Sequence, residues 1–237
     1  VSGEITEITL PNAPNEPIAI VAGPDGNLWF TDFYNRIGRL TPAGVHTRFA
    51  VPTPASAARG IIAGPDGNLW FTELNASAIG RITPSGAIAE FPLGTGGAAP
   101  YGITAAGGDL WFTESGATRL GRVTTSGTIS EVPLPLGYSS AVQITSSQDG
   151  KLWFTQANSN AIGAFASSGE VEEFAIPTPG SSPFGIAVGP DGAVWFTEFA
   201  ADKIGRLAVP GGCSRCPRTL PFRRPAATFG TPQNATE

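Results

Sequence analysis

Methionine is absent from the 237 residues, histidine occurs once, and the two cysteines, Cys213 and Cys216, both lie close to the C-terminus. Charge is sparse as well: Asp, Glu, Lys and Arg make up 14% of the chain, 19 acidic residues against 14 basic ones. Each scarcity excludes something. Two cysteines at one end cannot staple the body of the chain, so the fold does not depend on disulfides. A mildly acidic protein lacks the basic face that a nucleic-acid groove requires. No apolar run reaches the length of a membrane span, and the N-terminus shows no secretory signal. Without a methionine the start of the natural gene product is missing or processed away, and the compartment stays undetermined. Helical patterning is missing too: no window carries apolar residues at a 3.6-residue period.

What the chain has instead is repetition. The stretch Gly23-Pro24-Asp25-Gly26-Asn27-Leu28-Trp29-Phe30-Thr31-Asp32 returns nearly unchanged at Gly64 to Glu73. Looser copies end at Trp111-Phe112-Thr113-Glu114, Trp153-Phe154-Thr155-Gln156 and Trp195-Phe196-Thr197-Glu198, so all five tryptophans recur 41 or 42 residues apart. A fixed period of this size means one supersecondary unit copied several times.

The second copy shows what the unit is. Arg59 to Ala63 is a short, mostly apolar run, and Gly64-Pro65-Asp66-Gly67 is turn chemistry, with proline presetting one φ and Asp-Gly supplying a left-handed position. Asn68 to Glu73 is aromatic and β-branched, a second strand. Ala78 to Thr83 and Ala87 to Phe91 alternate as third and fourth strands around a Pro84-Ser85-Gly86 turn. Four short antiparallel strands in about 40 residues is the pattern of a propeller blade. Trp and Phe are adjacent on the second strand and point to opposite faces, which suits a sheet packed between two neighbours. Each tryptophan is therefore expected to be buried between blades. The glycines inside the third strand (Gly38, Gly80, Gly121, Gly163, Gly205) are expected to admit the adjacent blade's aromatic. The arginines that follow four of them, Arg39, Arg81, Arg122 and Arg206, are expected to face fourth-strand acids such as Glu90 and Glu131.

The fold expected is all-β, a β-propeller of four-stranded antiparallel blades with five blades' worth of repeats over residues 1–209. Residues 3–10 match a fourth strand, as in Gly169 to Phe174, and the fifth copy ends after its third strand. The N-terminus is thus expected to complete the last blade and close the ring, the usual propeller device. The period vanishes at residues 210–237, read as an irregular, disordered or loosely attached tail. A lone Cys213-x-x-Cys216 there carries no metal or redox assignment.

The pattern Pro-x-Gly-Ile, Gly-Pro-Asp-Gly, Trp-Phe-Thr-Glu, Ile-Gly-Arg and a Pro-Thr-Pro link resembles the streptogramin B lyase (virginiamycin B lyase) family, over residues 1 to about 209. The resemblance implies a seven-bladed propeller and a Mg²⁺-assisted elimination that opens a cyclic depsipeptide antibiotic at its ester bond, a resistance activity. It places the acting histidines in a Pro-His-(Gly/Ala)-Ile motif at the start of the innermost strand. The equivalent positions here are Ile18, Arg59, Tyr101, Val142 and Phe184, and none is histidine. Glu16 matches an acidic neighbour in one family motif, but without its histidine. The single histidine, His46, aligns with Ile5, Ile88, Ile129 and Val171 on the outermost strand, away from the axis, where a general base cannot reach an axial substrate. The repeated acids Asp32, Glu73, Glu114 and Glu198, with Gln156, are expected to bond to the connection after their strand.

Two functions stand side by side. One is a lyase-type propeller that lacks the catalytic histidines. The other is a non-catalytic binding or scaffold propeller. No catalytic residue is named. The candidate binding positions are Glu16, Ile18, Arg59, Tyr101, Val142 and Phe184, ringing one channel mouth; a metal site is unassigned. The implied ligand is a small molecule or cyclic peptide, with Mg²⁺ only under the lyase reading and no nucleic acid or membrane. The lyase reading places the chain in the cytoplasm and the binding reading permits a location outside it. A five-bladed ring would be monomeric, whereas an arc spaced as in seven-bladed relatives would leave a two-blade gap and associate through open edges.

Overall fold

The computed structural model describes residues 3, 5–11, 14–94, 96–135 and 140–209. The tail expected at 210–237, with Cys213 and Cys216, lies outside the described residues. Blade 1 is the sheet β1 (Pro17–Ala22), β2 (Leu28–Asp32), β3 (Arg36–Leu40) and β4 (His46–Ala50), paired antiparallel in chain order. Blade 2 repeats it with β5 (Ala58–Ala63), β6 (Leu69–Glu73), β7 (Ala78–Ile82) and β8 (Ile88–Pro92). Blade 3 consists of β9 (Pro100–Ala106), β10 (Asp109–Glu114), β11 (Arg119–Val123) and β12 (Ile129–Pro133). Blade 4 consists of β13 (Ala141–Ser146), β14 (Leu152–Gln156), β15 (Ala161–Phe165) and β16 (Val171–Ala175). Blade 5 has three strands, β17 (Pro183–Val188), β18 (Val194–Glu198) and β19 (Lys203–Leu207).

The turn residues act as their chemistry dictates. Gly26 and Gly67 adopt φ of 76° and 75°, the left-handed region that costs glycine nothing. The preceding aspartate ties the turn to the tryptophan: Asp25 Oδ1 accepts the indole N–H of Trp29 at 3.0 Å, and Asp66 Oδ1 that of Trp70 at 3.1 Å. In blade 4 the Ser147 hydroxyl takes that role for Trp153 at 3.1 Å.

The opposed aromatics build the core between blades. Trp29 of blade 1 shares one apolar cluster with Phe71 of blade 2, Trp70 with Phe112, Trp111 with Phe154, and Trp153 with Phe196. A fourth-strand aromatic backs the indole, as Phe49 does on Trp29 with ring centroids 5.5 Å apart. The glycine of the third strand serves the same blade and not its neighbour. A Cβ at Gly80 would lie 2.1 Å from the ring of Phe71, its cross-strand partner. The ring lies across the bare backbone because the two residues are directly opposed.

The arginines also differ from expectation. Arg39, Arg81, Arg122 and Arg206 lie over their own blade's tryptophan at 5.5–5.9 Å. Arg39 and Arg81 then donate to the next blade's turn, at Pro84 O (2.9 Å) and Thr125 O (3.2 Å). Glu131 instead meets Arg119 at 3.2 Å, and Glu90 accepts the Thr53 N–H and hydroxyl. The cause is register: these arginines oppose the tryptophans, as Arg81 opposes Trp70, and share their face of the sheet.

Among the described residues the ring does not close. Innermost strands pack in the sequence β1, β5, β9, β13, β17, and β17 does not pack on β1 in the same way. Residues 5–10 form no strand, and blade 5 keeps three. The expected fourth strand is instead a segment lying against blade 1, where Ile8 and Leu10 face Ile18, Ile20 and Phe30 across a groove of about 350 Å³. Blade 5 carries the one exposed tryptophan, Trp195.

Candidate functional site

Every innermost strand begins with the same device. A register shift interrupts its pairing with the second strand, between Pro17 and Ala19, Ala58 and Ile61, Ala141 and Ile144, and Pro183 and Ile186, and on the facing strand of blade 3 between Phe112 and Glu114. Such a bulge bends the strand and re-aims the side chain it carries. Two positions upstream of the mouth residue, Ala57, Ala99, Ser140 and Ser182 have φ of 48–56°, uncommon for residues other than glycine. The residues so aimed are Ile18, Arg59, Tyr101, Val142 and Phe184.

A threonine holds the bulge. The hydroxyl in Trp-Phe-Thr accepts the N–H just after its own blade's mouth residue and donates to the carbonyl of the next blade's. Thr72 accepts from Gly60 at 3.0 Å and donates to Tyr101 O at 2.7 Å. Thr31 donates to Arg59 O at 2.7 Å, Thr113 to Val142 O at 2.6 Å and Thr155 to Phe184 O at 2.9 Å. One hydroxyl per junction thus satisfies two backbone groups that would be costly to bury unpaired. The period made these threonines visible, but nothing in one strand's sequence reveals which carbonyl they reach.

The six expected positions fall into three groups. Tyr101 and Phe184, two blades apart, meet edge to face with centroids 5.9 Å apart, and Val142 sits buried on the intervening β13. The Arg59 guanidinium lies over Phe33 at 5.7 Å. Ile18 belongs to the groove with Ile8, and Glu16 accepts the Tyr34 hydroxyl at 3.1 Å. His46 lies on β4, outermost as expected, and stacks on Phe30 at 5.6 Å. Burial holds its pKa below the usual histidine value, and the neighbouring Arg48 adds to this.

The repeated acids are buried beside the third strand, and they differ by blade. Asp32 pairs with Arg36 at 2.8 Å and also accepts the Tyr34 N–H of the connection, as expected. Glu114 pairs with Arg119 at 3.0 Å. Gln156 faces Ala161 and donates its amide to Glu173 at 3.2 Å. Glu73 faces Ala78, is fully buried, and neither of its oxygens makes a hydrogen bond. Burial pushes its pKa up to about 8, with Glu90 adding to the rise. Sequence reasoning missed this orphan; its signal is Ala78, where blades 1 and 3 carry arginine.

This architecture is that of a β-propeller whose blades each display one aimed residue at a common end. The Virginiamycin B lyase family model matches residues 1–139. A virginiamycin B lyase from Staphylococcus aureus is 43% identical, with a TM-score of 0.85, and the match covers 88% of this chain and 72% of that one. A catalytically inactive histidine-to-alanine variant of virginiamycin B lyase from Staphylococcus aureus, crystallised with quinupristin, matches at 42% identity and TM-score 0.85, over 90% of this chain and 73% of that chain. A streptogramin B lyase structure matches at 39% and 0.83, over 87% and 70%. No curated protein matches the chain. The chain belongs to the virginiamycin B lyase family.

The residues present do not fit the Mg²⁺ that the family implies. Glu16 is the one carboxylate among the six candidate positions, and it is engaged by Tyr34. Among the described residues no three of His, Cys, Asp and Glu form a metal-holding group.

Proposed function

We propose that this chain is a ligand-binding propeller of the streptogramin B lyase type that does not carry out the elimination. The observation that carries this reading is the mouth itself: Tyr101 and Phe184 in edge-to-face contact, with Arg59 on β5, the innermost strand next to Tyr101's, and no histidine or carboxylate at any aimed position. An apolar, aromatic surface with few polar groups suits a ligand that is mostly apolar and carries carbonyls. A cyclic depsipeptide has that chemistry. Elimination needs a base at the carbon that loses its proton. The aimed positions offer a guanidinium and a phenol, neither of which is the histidine or carboxylate that general-base catalysis ordinarily uses. His46 is on the outermost strand.

Calorimetric titration with quinupristin tests the reading, with mass spectrometry of the mixture in the presence of Mg²⁺. The expected result is binding weakened about tenfold or more by Tyr101→Ala and by Arg59→Ala, with no linear product. Equal binding by wild type and variants removes these residues from the site. Turnover above that of a Glu16→Ala control overturns the non-catalytic reading.

A further inference from the structure

Blades 2 and 3 carry the same two carboxylates in the same register, and only blade 3 places a cation between them. Glu114 ends β10 opposite Arg119, and Glu131 on β12 opposes Gly121. Arg119 bridges the two acids, with Nε 3.0 Å from Glu114 and Nη1 3.2 Å from Glu131. In blade 2 Glu73 and Glu90 hold the corresponding positions, and Ala78 stands where blade 3 has Arg119. Blade 4 also has an alanine there, Ala161, and it compensates: Gln156 replaces the first acid and donates its amide to Glu173 at 3.2 Å. Blade 2 has neither the guanidinium nor the amide.

The surroundings of Glu73 supply no substitute. Its cross-strand neighbours are Ala58 and Ala78. The Ser56 hydroxyl beside it gives its one hydrogen to Asn35 Oδ1 at 2.5 Å. The charged group that faces it is Glu90, of like sign. Glu90 is itself held by Thr53, which donates its N–H at 2.9 Å and its hydroxyl at 3.1 Å. Glu73 is fully buried and neither of its oxygens makes a hydrogen bond, a costly arrangement for a buried acceptor. We propose that Glu73 and Glu90 form a binding slot for a guanidinium group that comes from outside the blade, free or on an arginine side chain. Two carboxylates match the planar fork of a guanidinium. A metal ion would draw on a third acid, and among the described residues none joins this pair. The Arg119 side chain of blade 3 is 25% exposed, so the equivalent place in blade 2 is within reach of solvent. The slot lies outside the mouth positions and does not rest on the depsipeptide reading.

Calorimetric titration of the full chain with methylguanidinium chloride at constant ionic strength tests the slot, with potassium and calcium chlorides as comparison salts. The expected result is saturable one-to-one binding that Glu73→Gln and Ala78→Arg each weaken about tenfold or more. Each variant copies the residue that another blade carries at that position, and circular dichroism checks the fold. The cation must displace the proton that Glu73 holds below a pH of about 8. Affinity is therefore expected to rise with pH up to that value, by at most about tenfold per unit. Titration with N-acetylarginine amide separates the two sources. Tighter binding than methylguanidinium points to an arginine side chain and weaker binding to a free guanidino compound, and either result supports the slot. Absence of saturable binding, equal binding of potassium or calcium, or binding that survives Ala78→Arg overturns the inference.

Discussion

Blades 2 and 5 carry almost the same sequence around their tryptophans, yet Trp70 is sealed and Trp195 faces solvent. Both make the same local bonds: an aspartate in the preceding turn holds the indole N–H, at 3.1 Å and 3.2 Å, and an arginine lies over the ring at 5.5 Å and 5.6 Å. The difference is the neighbour. Local sequence forms the blade and aims its aromatics, but burial is conferred by the next copy. A repeat array of this kind draws its stability from junctions as much as from units, and an end unit keeps its shape while losing half of its junction energy.

The largest way to sharpen the comparison is to empty an internal junction. Phe71→Ala removes a fully buried ring between blades 1 and 2 and is expected to cost about 3–5 kcal/mol in urea melts. Ile20→Ala, on the open incoming face, is expected to cost under about 1 kcal/mol because most of that side chain already meets water. Similar losses would show that blade 1's face is covered.

The next effect depends on pH. The folded pKa of Glu73, about 8, lies above its ordinary value of 4.5. Below pH 4.5 both folded and unfolded forms hold the proton, and stability is unaffected. Between 4.5 and 8 the unfolded form ionises first, so stability falls as pH rises, by at most about 1.4 kcal/mol per unit. Glu73→Gln places in blade 2 the amide that blade 4 carries at Gln156. It is expected to flatten that slope and to stabilise the protein by about 1–3 kcal/mol at pH 8. A slope that survives the substitution would assign it to other groups. Ala78→Arg is expected to give the same gain at neutral pH by supplying the cation found in blades 1 and 3.

A smaller contrast concerns the threonines. Thr72→Val leaves the Gly60 N–H and Tyr101 carbonyl without their bonds and is expected to cost about 1–3 kcal/mol. Thr197→Val, at the exposed end, is expected to cost only a few tenths, since water replaces the hydroxyl. Equal costs would mean that the hydroxyl's work lies within its own blade.

Much of this architecture was legible. The 41- to 42-residue tryptophan period, the Asp-Gly turns and the absence of helical spacing give the blades, their strand order and the position of Arg59, Tyr101 and Phe184 at the start of innermost strands. What stayed hidden depends on contacts between copies or on register. Residues 5–10 read as a strand because alternation is local, whereas strand formation needs a sheet to join. Arg81 was expected to meet Glu90, but cross-strand register puts it on the face of Trp70. Gly80 was assigned to a neighbouring aromatic when its own blade's Phe71 lies over it. Glu73 passed for one of four equivalent acids until its opposite residue proved to be Ala78. The mouth was legible as positions but not as groups, because nothing in the repeats tells that Tyr101 reaches Phe184 while Arg59 turns to Phe33.

The most direct measurement compares Trp70→Ala with Trp195→Ala in urea melts of dilute protein. With junctions as the seat of stability, Trp70→Ala is expected to lose about 3–5 kcal/mol and Trp195→Ala at most about half of that. Equal losses from the two substitutions would contradict the account, by placing the tryptophan's contribution inside the blade and not between blades.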